Sequence, residues 1–203
     1  MAEDARGSYG GDMQAAKPPR MTLAEFLAWE ELQEGRHEFV NGEVFAMSGG
    51  LINHALIIGS LASILRRELR GRGCRVASSD AQLLAGEEIF YPDVVVACGP
   101  DSLTARHVTR PVLLAEVLSS STESYDRGLK WKYYQDHLPS LRTFLLIAQD
   151  RVSVEVFRRG DGVWTYSSHT RLDEVLELSD PPCRLSIAEI YEDVLDRLGS
   201  GGV

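Results

Sequence analysis

Two short apolar runs, Tyr91-Pro92-Asp93-Val94-Val95-Val96 and Val112-Leu113-Leu114-Ala115-Glu116-Val117-Leu118, each carry one acid. Both have the length, the Val and Leu content and the flanking turn-formers of buried strands. A carboxylate in such a strand costs several kcal/mol to bury unless it is neutralised, paired or bound to a cation. One such acid is explicable as a strand-end accident, or as the partner of an arginine. Two, on strands that follow one another, ask for a shared explanation, and a divalent metal supplies one. Alternation groups Glu116 with Val112, Leu114 and Leu118 on one face, and Asp93 with Tyr91, Val95 and Ala97. Consecutive strands usually neighbour each other, so Asp93 and Glu116 are expected to converge at one end of a sheet. Two ionised carboxylates at close range repel. A hard cation with oxygen ligands, Mg²⁺ or Mn²⁺, removes both the repulsion and the desolvation cost.

The remaining elements follow from local signals. Residues 1–20 read as a flexible tail, residues 21–198 as one domain and residues 199–203 as a frayed end. Thr22 and Glu25 form a capping box that opens a helix running to about Gln33. Asn41-Gly42 between strand-like segments is a hairpin signal, with Glu38 and Glu43 flanking the turn. An apolar stripe from Leu51 to Leu69 predicts a helix with His54 in its first turn. Strands are expected over 74–84, 89–98, 111–118, 143–148, 152–157 and 163–168, with a polar loop at 99–110. Glu123 to His137 reads as a helix with Tyr125, Leu129, Tyr133 and Tyr134 on its packed face, and Ser186 with Glu189 caps a last helix to about Leu198. The order is that of an α/β or α+β fold with a mixed sheet and helices on its faces.

Charge and cysteine content narrow the function classes. A net charge of -9 is unusual for a nucleic-acid binder, since phosphate binding draws on basic residues. The basic residues cluster, however, as Arg66, Arg67, Arg70, Arg72 and Arg75, and as Arg127, Lys130 and Lys132. A groove made by these two groups, or a homodimer, would offset the acidity locally. No apolar run approaches the ~18 residues that span a bilayer, so no membrane partner is expected. The first twenty residues have no apolar signal-peptide core, and Cys74, Cys98 and Cys183 are an odd, widely spaced set. That pattern argues for a reducing cytoplasm and against a disulfide framework or a thiolate zinc site.

The order Glu38, then Asp93 in YPDVVV, Glu116 in AEVLS and the block STESYDRGLKWKYY resembles the PD-(D/E)XK nuclease superfamily. More closely it resembles the bacterial Uma-type (Uma-two) restriction-endonuclease-like family. The likeness spans about residues 21–195, and the block from Glu116 to Tyr134 is its most specific part. It implies a restriction-endonuclease-like core, a central mixed β-sheet flanked by helices. By that likeness Asp93 and Glu116 are metal ligands, Glu38 is an additional acid, and Lys130 is the catalytic lysine displaced from the strand onto the next helix. The usual lysine position, two residues after the strand acid, is Leu118 here. His54 and Lys132 are possible additional members of the site. The first function implied is Mg²⁺-dependent endonucleolytic cleavage of DNA. A rival from another class is a non-catalytic nucleic-acid-binding or regulatory domain that retains the nuclease fold.

Overall fold

The structure, a computed structural model, describes residues 20–47, 51–104 and 106–198. The expected N-terminal tail, apart from Arg20, and the expected frayed end at 199–203 lie outside the described residues.

The chain opens as its local signals require. The Thr22 side chain accepts from Glu25 N while the Glu25 carboxylate reaches back to Thr22 N, closing both halves of the capping box of α1 (Leu23–Glu30). β1 (His37–Val40) and β2 (Glu43–Ala46) then form a two-residue hairpin. Asn41 and Gly42 both have positive φ, 53° and 77°, the conformation that a right-twisted hairpin turn demands. α2 (Ile52–Glu68) buries Ile57, Ile58, Leu61, Ile64 and Leu65 along one face.

Two expected strands are each broken in the middle. Residues 74–84 divide into β3 (Cys74–Ser78) and β4 (Gln82–Ala85), and residues 89–98 into β5 (Glu88–Phe90) and β6 (Val94–Cys98). Ser79 sits at φ 60°, which ends β3, and Pro92 has no N–H to continue a ladder. Both breaks lie at the same place, where Ser79 N donates to Asp93 O. On either side of it the chain enters a different sheet. The polar loop contributes β7 (His107–Val108), and β8 (Pro111–Leu118) follows.

After β8 come α3 (Glu123–Tyr125), a π-turn (Asp126–Lys130) and α4 (Trp131–His137). The wide turn shifts the helical phase, so the buried stripe is Asp126, Lys130, Tyr134 and Leu138, and Leu129 faces out instead of packing as expected. β9 (Thr143–Ala148), β10 (Val154–Arg159) and β11 (Trp164–His169) are close to the expected strands. A further hairpin, β12 (Val175–Ser179) and β13 (Pro182–Ser186), precedes α5 (Ile187–Tyr191). Its signal was the alternation of exposed Val175 and Glu177 with buried Leu176 and Leu178.

The larger sheet has the order β11-β10-β9-β8-β6-β3 and the smaller β2-β1-β5-β4-β7. β8 and β9 are parallel and β6 and β8 antiparallel, so the larger sheet is mixed. α2, α5 and the β12–β13 hairpin cover one face of it around Val94, Val96, Leu113, Ala115 and Val117. The opposite face, with Val95, Ala97, Leu114 and Leu118, packs against Tyr134, Leu138 and the smaller sheet's Leu83 and Phe90. The fold class is thus the mixed one read from the sequence.

One expectation is corrected. Cys74 and Cys98 form a disulfide, because the β3–β6 register sets them directly opposite with Cα atoms 4.0 Å apart. A separation of 24 residues carries no such information in the sequence. Cys183 is free and buried, and burial pushes its thiol up to about 11. Native protein without reductant should therefore expose no thiol that reacts promptly at pH 8, and one per chain after denaturation. Three thiols counted in unreduced, denatured protein would contradict the pairing.

Candidate active site

Asp93 and Glu116 meet at the seam between the two sheets. Val94 pairs with Ala115, which brings the preceding residue, Asp93, against Glu116. Asp93 N donates to Glu116 Oε2 at 3.3 Å, and Asp93 Oδ2 accepts from Val117 N at 2.7 Å. The convergence expected from strand order is present, although Asp93 lies in the break before β6 and not within it.

The other members arrive from three separate elements. Glu38, on β1, is buried, and its Oε1 accepts from Tyr91 N at 3.2 Å. His54, on the first turn of α2, places Nε2 3.2 Å from Asp93 Oδ2. Lys130 closes the π-turn with its ammonium 2.9 Å from Glu38 Oε1, 3.3 Å from Glu116 Oε1 and 3.4 Å from Asp126 Oδ1. π-turns recur at functional sites because they redirect a helical side chain. Here the turn and the stripe it continues aim Asp126, Lys130 and Tyr134 at β8, and Tyr134 Oη donates to Glu116 Oε1 at 2.9 Å.

Asp126 and Tyr134 were not among the residues singled out for the site. Their signal was the i, i+4 spacing on either side of Lys130, which stacks the three side chains on one helix face. Lys132, by contrast, is outside the cluster: it is exposed and pairs with Asp136 at 2.9 Å. Arg127 is also turned away, held by Glu123 and by both oxygens of Glu155. The arginines from Arg66 to Arg75 lie at the C-terminal end of α2, remote from His54 at its start; Arg66, Arg70 and Arg75 line a separate hollow there. The two basic groups do not combine into one groove at the acid cluster.

The Arg127–Glu155 pair has a consequence for acid stability. Its hydrogen bonds to Arg127 hold the Glu155 carboxyl below the usual carboxylate range. A depressed folded-state value means the stabilisation is present above the unfolded value of ~4.3 and is lost as pH falls through the folded one. Glu155→Gln should flatten the loss of stability on acidification below about pH 4.5, read from urea midpoints across pH.

Electrostatically the cluster is acid-rich. Glu38, Asp93, Glu116 and Asp126 face one ammonium and one imidazole. Burial raises the Glu116 carboxyl well above the usual range, with Lys130 only partly opposing it, and burial raises Asp126 in the same way. Burial works against the Lys130 ammonium, yet Glu116, Glu38 and Asp126 outweigh it and hold its pKa above that of a free lysine. Burial likewise opposes protonation of His54, and the Asp93 carboxylate overcomes it to raise the imidazole. Burial pushes the Tyr134 and Tyr125 phenols upward, so both remain protonated.

The four acids, Lys130 and His54 line a cleft of about 240 Å³, together with Phe45, Ala46, Met47 and Tyr125. Its donor set consists of oxygens with acid in excess, the chemistry that suits a hard divalent cation. Among the described residues no group of three or more His, Cys, Asp or Glu is arranged as a ready cage. Asp93 and Glu116 would hold such an ion with waters completing its shell, as Mg²⁺ commonly requires.

Comparison with known proteins decides the family. Residues 23–188 match the model of the Uma2 family, described as "putative restriction endonuclease". The chain belongs to the Uma2 family. Two relatives are uncharacterized proteins of Synechocystis sp. (strain ATCC 27184 / PCC 6803 / Kazusa). Slr1290 is 35% identical over 177 residues, covering 85% of this chain and 92% of the relative. Sll1609 is 34% identical over 158 residues, covering 75% and 89%. In three dimensions the Uma2 chain is similar to the crystal structure of "a putative nuclease belonging to DUF820" from Anabaena variabilis ATCC 29413. The TM-score is 0.70 at 18% identity, over 86% of this chain and 99% of that one. That likeness establishes the fold, which is restriction-endonuclease-like. The family's description supports a nuclease class.

Proposed function

We propose that this protein is a Mg²⁺- or Mn²⁺-dependent endonuclease that hydrolyses phosphodiester bonds in DNA. The observation that carries the reading is the convergence of Lys130 with Glu38, Glu116 and Asp126, and of Asp93 with Glu116, from distant parts of the chain. Four buried or half-buried acids around one buried lysine are costly to desolvate, and titratable clusters of this kind concentrate at functional sites.

Asp93 and Glu116 bind the cation in this reading, and Asp93 is oriented by Val117 N–H and His54. A cation held there would supply Lewis-acid chemistry, lowering the pKa of water and stabilising charge on a phosphoryl oxygen. Lys130 positions the attacking water or neutralises charge developing on the phosphate. Glu38 and Asp126 hold the ammonium in place, and Tyr134 fixes the Glu116 carboxylate. Residues 21–198 act as a single domain in this proposal, in the cytoplasm, as a monomer or homodimer. Among the described residues no helix is long and apolar enough to cross a membrane. The Cys74–Cys98 pair removes cysteine content as support for the cytoplasmic assignment.

A non-catalytic domain is the second reading, favoured by the absence, among the described residues, of a preformed acidic cage. A plasmid-nicking assay with Mn²⁺ separates the two, with Lys130→Ala as control. Wild-type nicking that the variant lacks supports the nuclease. No nicking, together with no calorimetric binding of Mn²⁺, favours the non-catalytic domain; equal nicking by both proteins removes the role given to Lys130.

A further inference from the structure

Part of the cleft lining is apolar and exposed, beside the acids: the β1–β2 register sets Phe45 directly across from Glu38. Phe45 and Met47, at the end of β2, retain 42% and 39% of their surface in solvent, and both line the cleft. The ring of Tyr125, on the helix that carries Lys130, lies 6.2 Å from that of Phe45. The Tyr125 hydroxyl is buried and lies beside the Glu38 carboxylate. An exposed aromatic beside a carboxylate cluster is a surface suited to a ligand with a flat apolar face and polar edges.

The charges around the cleft restrict what that ligand is. Its lining cations are Lys130 and His54, and both are engaged by carboxylates. Arg127 and Lys132 on the neighbouring turns are paired to acids, and the Arg66–Arg75 group is at the other end of α2. A duplex laid across the cleft would bring the phosphates of two strands to a mouth where, among the described residues, the lining cations are already paired, so counterion release gains little. A single strand needs one phosphate at the metal, and its bases are free to stack. Stacking on an aromatic side chain is tolerant of sequence, because every base has a π-face.

We infer that Phe45, with Met47 and Tyr125, forms a stacking lip for an unpaired nucleobase beside the scissile phosphate, so that the substrate is single-stranded or locally unpaired nucleic acid. The inference rests on the nuclease reading for its cleavage step, but the stacking itself is measurable without cleavage.

The test uses the full chain and a single-stranded oligonucleotide carrying 2-aminopurine, whose fluorescence falls when it stacks. In EDTA, wild type should quench it; Phe45→Ala should bind roughly tenfold more weakly without quenching, and Phe45→Trp should restore both. With Mn²⁺, single strands and a bulged duplex should be cut at least tenfold faster than a blunt duplex. In Phe45→Ala the loss should fall on KM, with kcat within about twofold. Quenching without cleavage would leave the lip in place and remove the nuclease reading. Cleavage of duplex as fast as single strand, or quenching indifferent to Phe45, would overturn the lip and leave the nuclease. A wild-type dimer that Phe45→Ala dissociates, with no quenching in either, would assign this surface to a second copy and overturn the inference.

Discussion

Lys130→Ala is expected to lower the unfolding free energy by about 3–5 kcal/mol, the usual cost of stranding buried charges by removing their partner. Lys130 is 6% exposed, and its ammonium lies within 3.4 Å of three carboxylates from β1, β8 and the π-turn. Without it Glu38, Glu116 and Asp126 remain buried with no counter-charge, and each must take a proton or admit water. Cleavage should fall below detection in the same variant. Urea unfolding followed by circular dichroism reads the stability, and a midpoint shift worth less than about 1 kcal/mol would mean the acids are already neutral in the native state. A second substitution identifies the cause. Lys130→Ala with Glu38→Gln should recover part of the loss, since the shortest contact, 2.9 Å, joins that pair. Simple additivity of the two changes would argue that the first variant fails through lost packing.

Glu116→Gln is expected to behave in the opposite manner: function is lost and the fold is kept. The substitution removes one acid from a cluster with acids in excess, and the amide oxygen still accepts from Tyr134 and Lys130. Its NH₂ group faces the Asp93 N–H, but that contact is long at 3.3 Å. The net change in stability should lie within about 1 kcal/mol of wild type, the scale of a single hydrogen bond. Calorimetric Mn²⁺ binding should disappear and cleavage should fall roughly 100-fold or more, as for other losses of a preorganised charge-stabilising group. Retained Mn²⁺ binding would place the cation elsewhere. A loss of stability comparable to that of Lys130→Ala would make Glu116 structural. The pair of variants thus separates a residue that holds the cluster together from one that serves the ion.

Much of this site is legible in the chain because its signals are local or of short period. An acid within an apolar run is conspicuous, and two-residue alternation with consecutive-strand pairing brings Asp93 to Glu116. Lys130 was found through the likeness of its block to a known family, and Glu38 through its place in the same order of residues. That likeness does not single out Asp126, although its four-residue spacing from Lys130 marks it as a neighbour on the helix. The break at Ser79 is not legible, because neither a serine at positive φ nor a change of sheet leaves a mark in hydrophobic pattern, whereas Pro92 marks its own break by lacking an N–H. The Cys74–Cys98 pairing depends on register between β3 and β6, which no spacing encodes.

The amino-acid sequence alone determined the capping box at Thr22, the Asn41-Gly42 turn, most of the strands and the two carboxylates that face each other, because each depends on neighbours within a few residues or one strand. Tertiary structure decided which cations reach them. Lys130, Arg127 and Lys132 are equivalent as charges on a helix. The π-turn and the packing of Tyr134 against β8 bury the first among three acids, while Glu155 and Asp136 hold the other two away. Where a long side chain ends depends on the surface it is folded against, and that surface is assembled from parts of the chain far apart.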